Sequence, residues 1–301
     1  MALRTIRVEG DPVLGKICRE VTEMTPKIQT LIDDMLEIKA KYAIPRRTQI
    51  HNYGTVIVKK AEVVATDVAV LLDRFYYIKV VDANVYEKNI EQINRDYRFA
   101  VKCQNLDRIA VFADNNQVYT IKVADIIKLQ AKKNTSKKGG GSLIGRLADK
   151  GIQVFEFCNM NGDENILFMD CIEHFVTDKL LFVSRQGLAK VVDGSAFDTT
   201  RRAANASKVG DDIIFIGKFS EGDFIIAQSE KGYYIRVDIS EIPEKGKGAA
   251  GVKLINLESD DVLESIFVGS TKDTFKVGDN EIIFTRVKPG KRGGKGSKLR
   301  F

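Results

Sequence analysis

The sequence predicts an all-β domain of propeller-like blades preceded by a short helical segment, and three observations predict it. From Thr55 onward the 301-residue chain consists of short β-rich runs and polar turns, with almost no sustained helical period. The runs repeat, reading AVLLDRFYYIKVV from Ala69, IAVFADNNQVYTIKV from Ile109, LLFVSRQGLAKVV from Leu180 and FIIAQSEKGYYIRV from Phe224. Aligned on the turn, Tyr76, Asn116, Gly187 and Gly232 are spaced by 40, 71 and 45 residues. A period of about 40–45 residues is that of a four-stranded propeller blade.

The elements follow in order. Thr25 suits an N-cap and Pro26 the first helical position, and Ile28, Leu31, Ile32, Met35 and Leu36 mark one face of a helix reaching about Lys41. Each later unit has an apolar strand, a turn, and a second strand ending in a base and a Val or Ile. Asn116, Gly187 and Gly232 tolerate the positive φ that a tight hairpin demands. Tyr76 does not fit that role, and a different turn type is expected there. The 71-residue gap exceeds one blade, so a degenerate unit is expected near residues 152–172. A last unit reads SIFVGSTKDTFKV and NEIIFTRV, for five to six blades in a closed or nearly closed ring over residues 55–290.

Charge is segregated along the chain. The whole carries +6, yet Lys128–Lys150 alone is net +6 and Arg286–Phe301 net +7, which leaves −7 on the rest. Two basic segments on an acidic body point to a polyanion partner or, more blandly, to solvated loops. Basic clusters also recur with the hairpins. Lys137-Lys138-Gly139-Gly140 follows the second, Arg201-Arg202 the third, and Lys245-Gly246-Lys247-Gly248 the fourth, while Lys291-Arg292-Gly293-Gly294-Lys295-Gly296 closes the chain. Glycine removes the bulk that keeps a backbone amide from a phosphate, and Lys or Arg supplies the charge. Equivalent loops lie around one perimeter of a propeller, so these clusters, with Lys132 and Lys133, are expected to form a basic rim.

Other chemistry is not expected. No apolar run approaches the ~18 residues of a membrane span, and MALRTIRVEG lacks the apolar core of a secretory signal. The four cysteines are widely spaced and read as reduced, mostly buried thiols of a cytosolic protein. Neither His51 nor His174 has a second histidine four residues away, and His174 reads as a buried or half-buried structural residue. Asp260-Asp261 reads as a solvated turn, and GKFSEGD at Gly217 lacks the ending of a phosphate loop. The strand tyrosines read as packing residues. No catalytic residue, metal or cofactor is expected.

The linker YAIPRRT (Tyr42–Thr48), LLDRFYYIKVVD, QVYTIKVADI, LLFVSRQGLAKVVDGSAF, SEKGYYIRVDISEIPEKGKGAAGVK and the blade period together resemble the C-terminal domain of the A subunit of bacterial type II topoisomerases, gyrase and topoisomerase IV. The resemblance covers about seven-eighths of the chain. It implies a six-bladed β-pinwheel, with strand exchange between blades, that binds and bends duplex DNA without itself being catalytic. The implied partners are double-stranded DNA, the ATPase B subunit and a second A subunit, in the bacterial cytoplasm at the nucleoid. The tyrosine that cleaves DNA in that family lies in a core this chain does not resemble. Gyrases also carry a box Q-[KR]-R-G-G-[KR]-G after the first blade. Here that place holds YEKNIEQINRDYRF, and the nearest match, KRGGKG at Lys291–Gly296, follows Gly290 near the far end. Topoisomerase IV-like output, or a variant wrap, is therefore an equal expectation. A propeller used as a protein-interaction scaffold is the alternative.

Residues 1–37 resemble the N-terminus of peptide deformylase up to its first amphipathic helix, without the Gly-rich, Cys-loop and HExxH segments that hold that enzyme's metal. The expected organisation is therefore 1–37 deformylase-like, 38–54 linker and 55–301 pinwheel with a basic tail. The expected DNA-contacting residues are Lys132, Lys133, Lys137, Lys138, Arg201, Arg202, Lys245, Lys247, Lys291, Arg292 and Lys295, with Gly293, Gly294 and Gly296 allowing close approach.

Overall fold

The structure, a computed structural model, describes residues 7–18, 20–43, 64–135, 144, 146–158, 160, 164–208 and 210–299. Contacts divide the chain into two units, Met1–Glu62 and Val63–Phe301. In the first, helix α1 spans Pro26–Tyr42, with Pro26 in its opening turn. The Thr25 carbonyl accepts from the amides of Ile28 and Gln29, while its hydroxyl makes no cap bond. Of the expected apolar face, Leu31, Ile32, Met35 and Leu36 are exposed and Ile28 is half-buried. The expected boundary at Glu37–Ile38 falls inside this helix, and the one at residue 54 lies outside the described residues.

The second unit is a β repeat in which every four-stranded sheet borrows a strand. Strands β1 (Asp67–Asp73) and β2 (Tyr77–Asp82) form the first hairpin, and after helices α2 (Ala83–Lys88) and α3 (Ile90–Asp96), β3 (Tyr97–Gln104) pairs back on β1. The chain then makes the second hairpin, β4 (Arg108–Ala113) and β5 (Gln117–Lys122), followed by helix α4 (Val123–Thr135). Only then does β6 (Ile152–Gln153) return to complete the first sheet against β2, while β7 (Ile166–Cys171) pairs with β4.

The same step recurs three times. After β8 (Lys179–Ser184) and β9 (Leu188–Asp193), β10 (Ala203–Asn205) returns to β5 and β11 (Ile213–Lys218) pairs with β8. After β12 (Phe224–Ser229) and β13 (Tyr233–Asp238), β14 (Val252–Lys253) returns to β9 and β15 (Leu263–Gly269) pairs with β12. After β16 (Thr274–Val277) and β17 (Asn280–Ile283), β18 (Ser297–Lys298) returns to β13. The described residues thus form four four-stranded antiparallel sheets and one two-stranded sheet. The stretch 152–172 is not a blade of its own. It supplies β6 to one sheet and β7 to another, because β2 and β4 each present an edge whose backbone groups need a partner. Helix α4 and the segment after it account for the long 71-residue spacing.

The inner strands are buried on both faces, and each face serves a different neighbour. In β4, Ile109, Val111 and Ala113 share a cluster with Val68, Val70 and Leu72 of the first sheet. Their alternates Ala110 and Phe112 join Leu180 and Phe182 of the third. In β8, Leu181 and Val183 pack with Ile225 and Ala227 of the fourth, whose remaining face reaches Phe275 and Phe284. The first sheet differs. Ala69 and Leu71 pack on Tyr86 of α2 and Ile93 of α3, so helices cover the face it does not turn to the second sheet.

All four aligned turn residues have a left-handed backbone, with φ of 63° at Tyr76, 64° at Asn116, 77° at Gly187 and 76° at Gly232. Tyr76 therefore occupies the same turn as the others, contrary to expectation. Its ring meets Phe155 edge-on at 5.9 Å and its hydroxyl donates to Asn165 Oδ1 at 3.0 Å. Those contacts offset a conformation that costs a non-glycine residue roughly 1–2 kcal/mol.

Candidate nucleic-acid interface

The returning strands place the basic segments. Each return strand pairs with the residues just after a left-handed turn residue: Tyr77 and Ile78, Gln117 to Tyr119, Leu188 and Ala189, Tyr233 and Tyr234. In three sheets the carbonyl of the turn residue itself accepts the next amide, from Val154 to Tyr76, Ala206 to Asn116 and Leu254 to Gly187. Glycine precedes three of the return strands because the approach is close. A Cβ at Gly151 would stand 2.6 Å from the Ile78 carbonyl oxygen, one at Gly251 2.9 Å from that of Ala189, and one at Gly296 2.9 Å from that of Tyr234. The sequence Lys245–Gly251, the run Lys291–Gly296 and Arg201-Arg202 are thus topologically equivalent approaches to β14, β18 and β10. Lys137 and Lys138 lie outside the described residues.

The expected bases are not equally free. Arg201 and Arg202 are exposed, as are Lys291 and Arg292. Lys245 and Lys247 are half-buried, and their ammonium groups donate to the carbonyls of Ala250 and Ala196, both at 3.2 Å. Lys295 pairs with Glu258 at 3.0 Å, which holds the ammonium pKa up and the carboxyl pKa down. Lys133 pairs with Glu156 at 2.7 Å. The KRGGKG run is pinned by its backbone. Gly293 donates to the Leu254 carbonyl, Gly294 accepts from Asn256, and the Arg292 amide donates to Glu241. In the place of the displaced box, after the first hairpin, stand α2, α3 and β3.

Sequence reasoning missed a cleft of about 510 Å³ between α4, β5 and the approach to β10. Lys132 and Arg202, expected from separate motifs, line it together with Arg108, Lys122 and Lys128. Arg108 is already held by Glu173 at 3.1 Å and Asp198 at 2.8 Å, and Lys128 lies 3.4 Å from Asp125. The available signal was the base carried by each second strand, at Lys79, Lys122, Lys190 and Arg236, but its register differs. Counted from the turn residue, Lys79 and Lys190 fall three positions on, Arg236 four and Lys122 six. The first two therefore share one strand face, and Arg236 and Lys122 share the other.

Among the described residues Asp107, Cys171 and Glu173 bring ligand atoms within 4.8 Å of one another. The Cys171 thiol donates to Glu173 at 3.0 Å and Arg108 neutralises that carboxylate, so the group is satisfied internally. Cys103, Cys158 and Cys171 are buried and Cys18 exposed, all four as free thiols. Burial pushes the Cys103 and Cys158 thiols up to about 12. His174 is more exposed than expected, with Nδ1 3.0 Å from Asp170. Asp261 is buried and accepts from the Lys231 amide, so the acidic pair is not a simply solvated turn. His51 lies outside the described residues.

Residues 178–227 and 223–270 match the family described as the DNA gyrase C-terminal domain, a β-propeller. The sheet unit resembles the C-terminal domain of the A subunits of bacterial gyrase and topoisomerase IV. The gyrase A protein of Lawsonia intracellularis is 22% identical over 258 residues, 80% of this chain and 30% of that protein. The topoisomerase 4 A protein of Streptococcus pneumoniae is 26% identical over 257 residues, 80% of this chain and 29% of that protein. The chain thus spans under a third of the length of these relatives. The crystal structure of the C-terminal domain of DNA topoisomerase IV superposes with a TM-score of 0.63 at 19% identity, over 78% of this chain and 73% of that one. The E. coli ParC C-terminal domain gives 0.58 at 17% identity, over 78% and 94%. A separate match, 92% identical over 37 residues, is to peptide deformylase of Agathobacter rectalis, covering 12% of this chain and 23% of that enzyme. Among the described residues no helix is long and apolar enough to cross a membrane.

Proposed function

We propose that the sheet unit is a non-catalytic module that binds and bends duplex DNA within the A subunit of a type II topoisomerase, acting with the B-subunit ATPase and a second A subunit at the bacterial nucleoid. The observation that carries this reading is the repeated placement of Lys/Arg segments on the approaches to β10, β14 and β18. One cluster is a charged loop; three at equivalent points of a repeat make a track. Phosphate neutralisation with counterion release drives such binding, and it reads little sequence. Bending ~30 base pairs costs several kcal/mol, which added contacts along a continuous track offset. DNA contact is assigned to residues 55–301, with residues 1–37 a deformylase-like segment that lacks that enzyme's metal-holding motifs.

Duplex binding measured across a salt series tests this. Affinity should fall steeply with salt, and Ala at Arg201, Arg202, Lys291 and Arg292 should lower the log–log slope by about 0.9 for each phosphate no longer neutralised. A plasmid relaxed in the presence of the protein then separates outputs: a linking-number change indicates wrapping of the gyrase kind, and binding without it indicates bending. Weak binding insensitive to these substitutions would replace the DNA reading with that of a protein-interaction scaffold.

A further inference from the structure

Two buried lysines stand at one repeated position beneath the basic approaches. Lys190 on β9 is 2% exposed and Lys79 on β2 is 5% exposed. Lys190 donates to the carbonyls of Lys247 at 2.6 Å and Ala249 at 2.9 Å. Lys79 donates to those of Leu147 at 2.6 Å and Asp149 at 3.0 Å. The register is the same in both: the two acceptors lie four and two residues before the glycine, Gly251 or Gly151, that opens the return strand. Each ammonium also faces an aromatic ring, Phe182 at 5.7 Å from Lys190 and Tyr97 at 5.0 Å from Lys79. The fourth sheet has Ile235 at this position, three residues after its turn, with the would-be Cβ atoms of Gly290 and Gly294 both 3.1 Å from its Cδ1.

A buried ammonium is costly unless its N–H groups are satisfied. Here backbone carbonyls of the approach segments satisfy them, so each lysine fixes the path of the segment above it. We propose that Lys190 and Lys79 are positioning residues for polyanion binding: neither reaches solvent to touch phosphate, yet each sets the shape in which its approach segment is presented. For Lys190 that segment carries Lys245 and Lys247, whose ammonium groups each have three N–H donors and give one to the carbonyl named above. Charge alone would then be insufficient; the loop must also be held. Ile235 shows that an apolar side chain fits at this position, with glycines closing over it.

This rests on the DNA reading above, and the test separates the two. In the full chain, Lys190→Met, Lys190→Arg and the double variant Lys245→Ala/Lys247→Ala are compared for duplex affinity, salt slope and amide exchange over residues 245–251. Lys190→Met should speed exchange at Lys245 and Ala249 at least tenfold and cut affinity about tenfold, with the slope falling by about one to two. Lys190→Arg should restore much of both. Unchanged exchange in Lys190→Met overturns the proposal, and so does faster exchange with unchanged affinity where the double variant binds more weakly. If the double variant itself binds DNA normally, the DNA reading of this loop fails and the positioning role fails with it. Should Lys190→Met not fold, Lys79→Met is read in the same way over residues 146–151, and unchanged exchange there overturns the proposal.

Discussion

The turn residues show how one backbone angle is met by different side chains. Gly187 and Gly232 hold φ of 77° and 76°, but their surroundings differ. A Cβ at Gly187 would stand 3.1 Å from both Ile255 Cγ2 and Leu257 Cδ1, whereas nothing lies within 4 Å of one at Gly232. Gly232→Ala should therefore cost about 1–2 kcal/mol, for the left-handed backbone alone. Gly187→Ala should cost a further ~1–3 kcal/mol through overpacking. Urea denaturation of the two variants checks the ranking, and equal losses would show that the packing around Gly187 gives way freely. Tyr76 adopts the same angle with a bulky side chain; the repeat aligned it with the other turn residues, but its residue type argued against a positive φ. The compensating partners, Phe155 and Asn165, lie far along the chain and meet Tyr76 only in the fold.

At the scale of elements, the second strand of three hairpins ends in an aspartate that caps the following turn. The side chains of Asp82, Asp193 and Asp238 accept from the amides of Asn84, Ser195 and Ser240. Bonds from the Ser195 and Ser240 side chains and amides hold the Asp193 and Asp238 carboxyls below their ordinary pKa. With the folded pKa depressed, the unfolded chain binds the proton first, so the stabilisation is full above the unfolded value of about 3.9 and is lost as pH falls through the folded one. Titration by NMR should place both carboxyls below that of a free aspartate. Asp193→Asn should remove its share of the acid-limb dependence, and a titration at or above the free value would refute the cap. The strands β6, β10, β14 and β18 were not legible from sequence, since two or three residues carry no periodicity.

Across the whole sheet unit, cohesion comes from seams between sheets. Phe112 is fully buried where the second sheet meets the third, with ring centroids of Phe168, Phe175, Phe182 and Phe197 between 5.0 and 6.2 Å away. Phe112→Ala should destabilise by about 3–5 kcal/mol. Because the ring serves two sheets, amide exchange should quicken in both β4 and β8; loss of protection in β4 alone would mean the sheets stand independently. Strand exchange adds a second tie. Each return strand links its sheet to the hairpin that follows, so neighbours share backbone hydrogen bonds as well as apolar surface.

The sequence by itself determined the repeat, the hairpin positions, the all-β class and the recurrence of Lys/Arg with glycine, because short apolar runs and turn residues are local signals. Tertiary structure alone decided which sheet each returning strand joins, since that choice depends on edges left open far away in the chain. It also decided which of the bases on the second strands are buried. Lys79 and Lys190 read like Lys122 and Arg236 in sequence, but a shift of one residue along a strand moves a side chain to the other face. That parity places two ammonium groups beneath the approaches to the return strands, where backbone carbonyls receive them.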